Sequence, residues 1–444
     1  MPSSNIQRDK FFRDPVHDII KFSKEDSFLL DIIDSTPFQR LRRIKQLGFV
    51  DYVYPGAQHS RFSHSLGSYF LANKVIQHLN SSKEIIDSNI RKLILTAALL
   101  HDIGHGPFSH IFESVLKELN QNTCNHENWG KKIIEESNLK EILLEKGKIK
   151  IQGLKEIFDK TFTPKIAFSI ISSQFDVDRL DYLLRDSIMT GCKYARIDLE
   201  WIMRNLVAVA PDKSRPNNLD IAIDGSRGIS AIDQYLLGRF HNYKHIVYHK
   251  TVRAAEMMFK RILVLGLGNG CDRDSLISCS LEKIALKEPL TVEDYLSLDD
   301  NIIMTQIKHW AHSSKNETLK DLCDRLINRK LFKAVYLDIK DDFERTDTIQ
   351  KIRDYFTSRR KDHHSYFLSD QLGVILYKDI VYYDENNEEG SEILYIDKAG
   401  DPKRLSVNTE TLVRRDKSSL AFLEKRFYIP VELKNDIEKI IEGI

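Results

Sequence analysis

From residue 10 to about 260, apolar positions recur mostly at helical spacing. The segment Phe28 to Gln46 shows the pattern first, with Leu29, Ile32 and Ile33 before a break at Thr36-Pro37 and Phe38, Leu41 and Ile44 after it. The same period predicts helices at 65–79, 90–103, 128–145, 164–189 and 229–263. Between the first two, Val53-Tyr54-Pro55-Gly56-Ala57 carries turn residues and delivers the chain to Arg61 and His64. From Gly266 to about 365 the chain is charged and helical, including Val292 to Lys308 and Glu317 to Leu331. Beyond that, Gly373 to Tyr383 is rich in Val, Ile and Tyr, an acidic turn follows at Asp384 to Glu389, and Ile393-Leu394-Tyr395-Ile396 precedes Ala399-Gly400-Asp401-Pro402, a hairpin signal in a small α+β tail. The expected fold is mainly α: a helical-bundle core over 1–265, a helical extension over 266–365 and a small α+β C-terminal region over 366–444. The glycine run from Leu265 to Gly270 follows a helix rather than a strand, so it reads as a helix end and not as a phosphate loop.

Composition narrows the function classes. At 444 residues with 42% hydrophobic and 30% charged side chains, the chain is ordinary for a globular protein. Its 66 basic and 65 acidic residues leave a net charge of +1, so no global field draws it to nucleic acid or to an anionic membrane. A local basic pocket remains compatible with that balance. Cys124, Cys192, Cys271, Cys279 and Cys323 are odd in number and contain no C-x-x-C pair, which predicts neither a disulfide framework nor a thiolate zinc site. Met1 to Asp14 is polar, and the aliphatic run Leu93 to Leu100 is too short to span a bilayer. The expected location is the cytoplasm.

The candidate chemistry begins where that aliphatic run ends, at His101-Asp102-Ile103-Gly104-His105-Gly106. Burying an imidazole and a carboxylate is unfavourable by several kcal/mol unless they are paired or coordinated, and a divalent cation supplies that compensation. Imidazole and carboxylate donors suit Mn, Mg, Fe, Co, Ni or Zn rather than a soft thiophilic ion. Taken alone, a His-Asp pair more often marks a hydrogen-bonded dipeptide. Two further segments change that balance: His64 lies in His59 to Gly67, and Asp178 lies in Asp176 to Asp186. In the latter, Asp178, Tyr182 and Asp186 recur every four residues and share one helix face, while Val177, Leu180, Leu183 and Leu184 between them predict that the helix is packed.

The order H, then HD, then D resembles the HD superfamily of phosphohydrolases. More narrowly, Phe38 to Gly48, Arg61 to Gly67, His101 to His110 and Asp176 to Asp186 resemble the deoxynucleoside triphosphate triphosphohydrolases, over about residues 10 to 260. The resemblance implies an HD-domain bundle that hydrolyses a deoxynucleoside triphosphate to deoxynucleoside and inorganic triphosphate. It implies a metal held by His64, His101, Asp102 and Asp178, with Arg61 on the α-phosphate. His105 would be a phosphate ligand or acid/base, and His110 the proton donor to the leaving 5′ oxygen. Glu113, where the vertebrate relative has Asp, would orient His110, and His126 would be a further active-site histidine. Gln46 and Leu47 would meet sugar and base, Tyr182 and Asp186 the 3′-hydroxyl. Tyr182 beneath the ribose would leave little room for a 2′-hydroxyl. Arg179, in place of a lysine, and Arg239, His249 and Lys250 would serve the triphosphate and base.

The resemblance also implies a second site at which Asp34, Gln39 and Arg42, helped by Lys10, Arg204 and Arg227, read an activating nucleotide such as GTP or dGTP in a homo-oligomer, tetramer or dimer. The plainer reading of Asp34 is a helix cap, and of Arg42 a solvated face. Two rival functions stand beside the main one. The first is another HD phosphohydrolase acting on nucleoside monophosphates or cyclic nucleotides, although His101-Asp102 lacks the Glu-Asp that follows in alarmone hydrolases, and no Gly-Tyr-Pro motif is present. The second is a nucleotide-sensing or nucleic-acid-binding protein with little turnover, against which the complete ligand set and His105, His110 and His126 weigh.

Overall fold

The computed structural model describes residues 9–121, 125–269, 271–337, 341–375, 392–408, 410–411 and 421–443. Helices dominate, as the periodicity predicts, and their ends follow from local chemistry. Helix α1 (Ser27–Asp34) gives way to a second short helix because the Ser35 side chain accepts from Phe38 N and Pro37 starts the new turn. The long helix α2 (Arg61–Leu79) packs against both α3 (Ser88–Leu100), which Asp87 caps, and α6 (Val177–Thr190). Between them in sequence lie α4 (His110–Glu118) and α5 (His126–Glu136).

Four segments expected as single helices are divided, among them 128–145, interrupted after Glu136, and Val292 to Lys308, interrupted after Ser297. The segment 164–189 breaks because the Asp176 carboxylate accepts from Ser173 N and Arg179 N, which makes it the N-cap of α6. The segment 229–263 becomes α7 (Ile229–Asn242), a π turn at Tyr243–Val247, and α8 (Lys250–Leu267), whose first turn is capped by the His249 side chain. Helix α8 runs to Leu267, so the glycine run is the helix end that the sequence indicates, except for Gly270, which lies outside the described residues. Further on come α9 (Asp300–Ser313), α10 (Glu317–Ile327) and α11 (Asp342–Ser358).

Strands were underestimated in the first 260 residues, because four- and five-residue strands leave little periodicity. β1 (Lys10–Asp14) and β2 (Asp18–Phe22) form an antiparallel ribbon, and β3 (Leu206–Val209) pairs with β4 (Asp220–Asp224). At the C-terminus the expected hairpin forms where the chain is described: Leu394–Ile396 and Pro402–Arg404 pair antiparallel across the turn at Ala399-Gly400-Asp401. β6 (Leu368–Ile375) pairs with β9 (Ala421–Ile429), which also takes β5 (Lys333–Val335), whereas β7 (Leu394–Ile396) runs parallel to β4 and pairs with β8 (Pro402–Arg404). Of the first apolar run only 373–375 is described, and it pairs with β9. The acidic turn expected after that run lies outside the described residues.

Two large apolar cores result. The first gathers β2, α1, α2, α3, α5, α6 and α7. The second gathers α4, α8, α9, α10, α11 and β9, and so draws on residues on both sides of 265 and of 365. The cores meet along the segment where Leu290 packs against both and Tyr295 of the first is followed by Leu298 of the second, while within the second core Phe108 stacks on Phe49 at 4.6 Å and lies against Phe259 at 4.6 Å. No helix of the described residues is long and apolar enough to cross a membrane.

Candidate metal centre and adjoining cavity

Three helices supply the donor atoms. His64 sits in the first turn of α2, His101 at the C-terminal end of α3 and Asp178 in the first turn of α6. Their ligand atoms all lie within 4.8 Å of one another. The two Nε2 atoms are 3.2 Å apart, and Asp178 Oδ1 is 3.0 Å from His64 Nε2 and 3.7 Å from His101 Nε2. Each ring is turned by its other nitrogen: His101 Nδ1 donates to Ala98 O at 2.8 Å, and His64 Nδ1 donates to Asp181 Oδ2 at 2.7 Å. With both Nδ1 atoms protonated, two Nε2 lone pairs can face one ion beside a carboxylate, an arrangement that a bound cation satisfies. The same demand is visible in His64, where burial opposes a charge but Asp178 and Asp181 lift its pKa to about 10. Asp102 adjoins this trio, with oxygens 3.5 Å from His101 Nε2 and 3.7 Å from His64 Nε2, and is fixed from the far side by Arg61 at 2.5 Å. Two imidazoles and two carboxylates fit a borderline or hard divalent ion.

Behind the trio lies a buried network that sequence reading did not single out. Asp181 also accepts from His17 Nε2 at 2.6 Å and from Arg185 Nε at 2.8 Å, and Arg185 reaches Asp14 at 2.8 Å. Gly67 makes room for it: a Cβ there would stand 1.8 Å from Asp181 Oδ1. Asp181 and Arg185 were visible as charges on a packed helix, but nothing local to His17 shows that β1 and β2 carry it to Asp181.

The chain after His101 builds a histidine wall. The rings of His105 and His126 stack at 4.1 Å and 12°, and His110 meets them edge-on at 5.1 and 5.2 Å. This close approach needs Gly104, where a Cβ would lie 2.0 Å from His126 O and 2.3 Å from Gly130 N. Glu113 Oε1 is 2.8 Å from His126 Nδ1 and 3.8 Å from His110 Nδ1, so it orients His126. Burial and then Arg61 hold the pKa of His105 far below its usual value, which keeps that ring neutral.

Phe108 and Ser109 adopt left-handed backbone at φ 51° and 56°, which costs non-glycine residues conformational energy and must be held from outside. Asp300 accepts from Phe108 N at 2.8 Å and Lys45 N at 2.9 Å, Tyr295 donates to Gly104 O at 2.8 Å, and Arg40 bridges His105 O and Leu298 O, both at 2.9 Å. Ser109 Oγ, so placed, accepts from Arg61 at 2.7 and 3.0 Å. Arg40 lies in the Phe38 to Gly48 motif, but Tyr295, Leu298 and Asp300 carry no motif of their own.

A cavity of about 290 Å³ is lined by His101, Asp102, His105, His126, Asp178 and Arg179. It shares Gln46, Arg61, His110, Tyr182 and Tyr243 with a larger one of about 570 Å³ that adds Leu47 and Asp186. Asp186 already accepts from Asn242 at 3.0 Å and lies 2.9 Å from His59 Nε2, while Arg179 pairs with Asp176. Other expected contacts stand apart. Arg239 is buried 5.9 Å from the centre of the Tyr243 ring and lines neither cavity, and His249 is spent on capping α8, with Lys250 following it outside both. Of the expected second site, Lys10 approaches Asp34 at 3.9 Å, and Arg42 bonds Gln39 at 2.8 Å while lying 3.5 Å over the Phe62 ring. Arg204 and Arg227 sit beside Trp201, and no hydrogen bond or ion pair among the described residues joins them to that group.

Comparison with known proteins agrees with this geometry. The HD domain family matches residues 61–185, which run from Arg61 through the three helices that carry His64, His101 and Asp178. The chain is 36% identical over 336 residues to the uncharacterized protein YwfO of Bacillus subtilis, covering 75% of this chain and 73% of that one. It is 35% identical over 213 residues, 44% of this chain and 40% of the relative, to the deoxynucleoside triphosphate triphosphohydrolase SAMHD1 homolog of Dictyostelium discoideum. The crystal structure of a phosphohydrolase from Bacteroides thetaiotaomicron superposes with a TM-score of 0.75 at 28% identity, covering 95% of this chain and 99% of that one.

Proposed function

This chain belongs to the HD-domain phosphohydrolases, and on that footing we propose that it hydrolyses deoxynucleoside triphosphates to deoxynucleoside and inorganic triphosphate, with a divalent metal ion as cofactor. The observation that carries the reading is continuity: Arg61, His110 and Tyr182 line both the cavity of the donor cluster and the cavity of the proposed sugar wall. A triphosphate bound along Arg61 would therefore place its nucleoside against Gln46, Leu47, Tyr182 and Asp186.

His64, His101, Asp102 and Asp178 would hold the metal, which when bound supplies Lewis-acid polarisation of the phosphoryl oxygens and an acidified water. Arg61, fixed in orientation by Ser109 and Asp102, presents its guanidinium to the α-phosphate and absorbs charge as it develops. Neutral His105 donates a hydrogen bond to a phosphate oxygen without repelling Arg61. His110, whose side chain is largely exposed, protonates the leaving 5′ oxygen. His126, held by Glu113, closes the phosphate side, and Arg179 neutralises the remaining charge. Tyr182 under the ribose sets the deoxy preference. Arg239, His249 and Lys250 line neither cavity and take no part in this reading, and an activating nucleotide such as GTP or dGTP acts at Asp34, Gln39, Arg42, Lys10, Arg204 and Arg227 in a cytoplasmic homo-oligomer.

The test is product identity. The protein is incubated with each dNTP and NTP, singly and in mixtures, with Mn, Mg or Co, and products are separated by chromatography. Deoxynucleoside plus inorganic triphosphate is expected, and it disappears in Asp178→Ala and His101→Ala. Orthophosphate or pyrophosphate as the product, or no turnover in any mixture, overturns the reading.

A further inference from the structure

The larger cavity shares Met257, Lys260 and Ser369 with a separate pocket of about 430 Å³ that no step above uses. Four cations line that pocket, Lys260, Arg261, Arg353 and Lys425, together with His363 and His364, against the single carboxylate of Glu118. The local excess is three positive charges, four minus one, on a chain whose total charge is +1.

These cations arrive from different elements. Lys260 and Arg261 come from α8, Arg353 from α11, Lys425 from β9, and the histidines from the turn before β6. Lys260 is paired with Glu118 at 2.8 Å, and Arg261 is held by Ser365 Oγ at 3.0 Å and, more loosely, by Asp362 at 3.4 Å. Neither Arg353 nor Lys425 has an acidic partner among the described residues. Like charges brought together from separate segments repel unless an anion lies between them. Burial, then His364 and Arg353, push the pKa of His363 down against the opposing pull of Asp362 and Asp354. Phe367, stacked on Phe427 at 4.9 Å and 13°, gives the pocket an apolar floor, with Lys425 5.5 Å from the Phe427 ring centre.

One phosphate would occupy one or two such cations, whereas a chain of phosphates can meet cations from several sides at once. We propose that this pocket binds a small polyanion with two or three linked phosphates, of the class of inorganic tripolyphosphate or a nucleoside polyphosphate. The inference is independent of the hydrolysis proposed above, because Arg353 and Lys425 lie outside the reacting cavity.

The test is calorimetric titration of the full-length protein with inorganic tripolyphosphate and with ATP at physiological salt. Two classes of site are expected for tripolyphosphate in the unaltered protein, one of them weakened by about tenfold or more in the double variant Arg353→Glu, Lys425→Glu. Both side chains are exposed, so the fold should survive. A measurement free of any variant accompanies it: tripolyphosphate should shield Lys425 from acetylation, read by mass spectrometry. ATP binding tighter than tripolyphosphate at the variant-sensitive site identifies a nucleotide ligand, and equal or weaker binding identifies an inorganic one. Unchanged binding in the double variant, unshielded Lys425, or displacement of tripolyphosphate by a single-stranded oligonucleotide at lower phosphate concentration overturns the proposal.

Discussion

Asp181→Asn separates an orienting role from a ligand role. Four hydrogen bonds of 2.6 to 3.0 Å converge on this buried carboxylate, from His17, His64 and twice from Arg185. Neutralising it leaves Arg185 paired with Asp14 alone. Removing one partner of a buried ion pair costs about 3–5 kcal/mol, and the charge-assisted bonds to the histidines fall within that total rather than adding to it. A second effect follows from the amide itself. Its NH2 can donate to His64 Nδ1, which would move the imidazole proton to Nε2 and block the atom that faces His101. Loss of an outer partner of this kind lowers metal affinity by about 10- to 100-fold, or about 1.4–2.7 kcal/mol. Urea denaturation in the presence of chelator measures the first effect, and competition with a metal-indicator dye the second. His17→Gln is the control, since it disturbs Asp181 without touching His64: a stability loss of about 1 kcal/mol and metal affinity within a few-fold of the parent are expected. An Asp181→Asn protein that loads metal as tightly as the parent would refute the argument that Asp181 fixes the His64 tautomer.

Gly104→Ala should force α5 away from the His101 segment, since its Cβ would meet backbone at 2.0 Å; a loss of about 1–3 kcal/mol in urea denaturation and a fall in turnover are expected, and full activity would show that the stacking of His105 on His126 is dispensable. Burial first, and then Asp299, raise the Asp300 carboxyl to about 6 against the backbone N–H groups of Lys45 and Phe108. The folded chain thus holds that proton more tightly than the unfolded one, and the stability it confers is complete below about pH 4 and lost as pH rises through 6, by at most about 3 kcal/mol. Stability curves of the parent and Asp300→Asn should therefore diverge in slope between pH 4 and 6.5, and parallel curves would contradict the assignment. Chelation should lower the melting temperature, and a divalent ion should restore it, by an amount that rises with metal concentration; a chelator-insensitive melting temperature would argue against a metal at the His64, His101 and Asp178 cluster.

The sequence disclosed whatever depends on residues close together along the chain. The alternation around Asp178, Tyr182 and Asp186 survives as one face of α6, and the apolar run before His101 is a buried helix that ends at the donor atoms. Contacts set by tertiary packing were not legible. His17 gives no local sign of its bond to Asp181, which is 164 positions away. The Phe108-Ser109 backbone looks unremarkable as a string, because a left-handed φ in a non-glycine residue arises from the supports around it. The division of 229–263 depends on a π turn and a histidine cap, neither of which interrupts the apolar period. His249 was read as a substrate contact from its motif, and that same side chain is turned to the backbone of Thr251.

The supports of the reacting loop bear on how much of this chain a working site needs. The family match ends at residue 185, and it contains the three donors of the cluster together with Asp102 and Arg61. Yet the strained turn that places Ser109, and through it Arg61, is anchored by Tyr295, Leu298 and Asp300, more than 100 positions beyond that boundary. Tyr295 belongs to the first core and Leu298 to the second, and Phe108 packs on Phe259 within the second core. A fragment ending near residue 265 would retain every donor atom and lose the anchors that hold Phe108 and Ser109 at positive φ. Without them, relaxation of the turn would free Arg61 from Ser109 while His64, His101 and Asp178 kept their helices. Metal binding and the phosphate positioning proposed for Arg61 are therefore separable in this architecture, the first resting on helix packing within the first core and the second on anchors drawn from both cores.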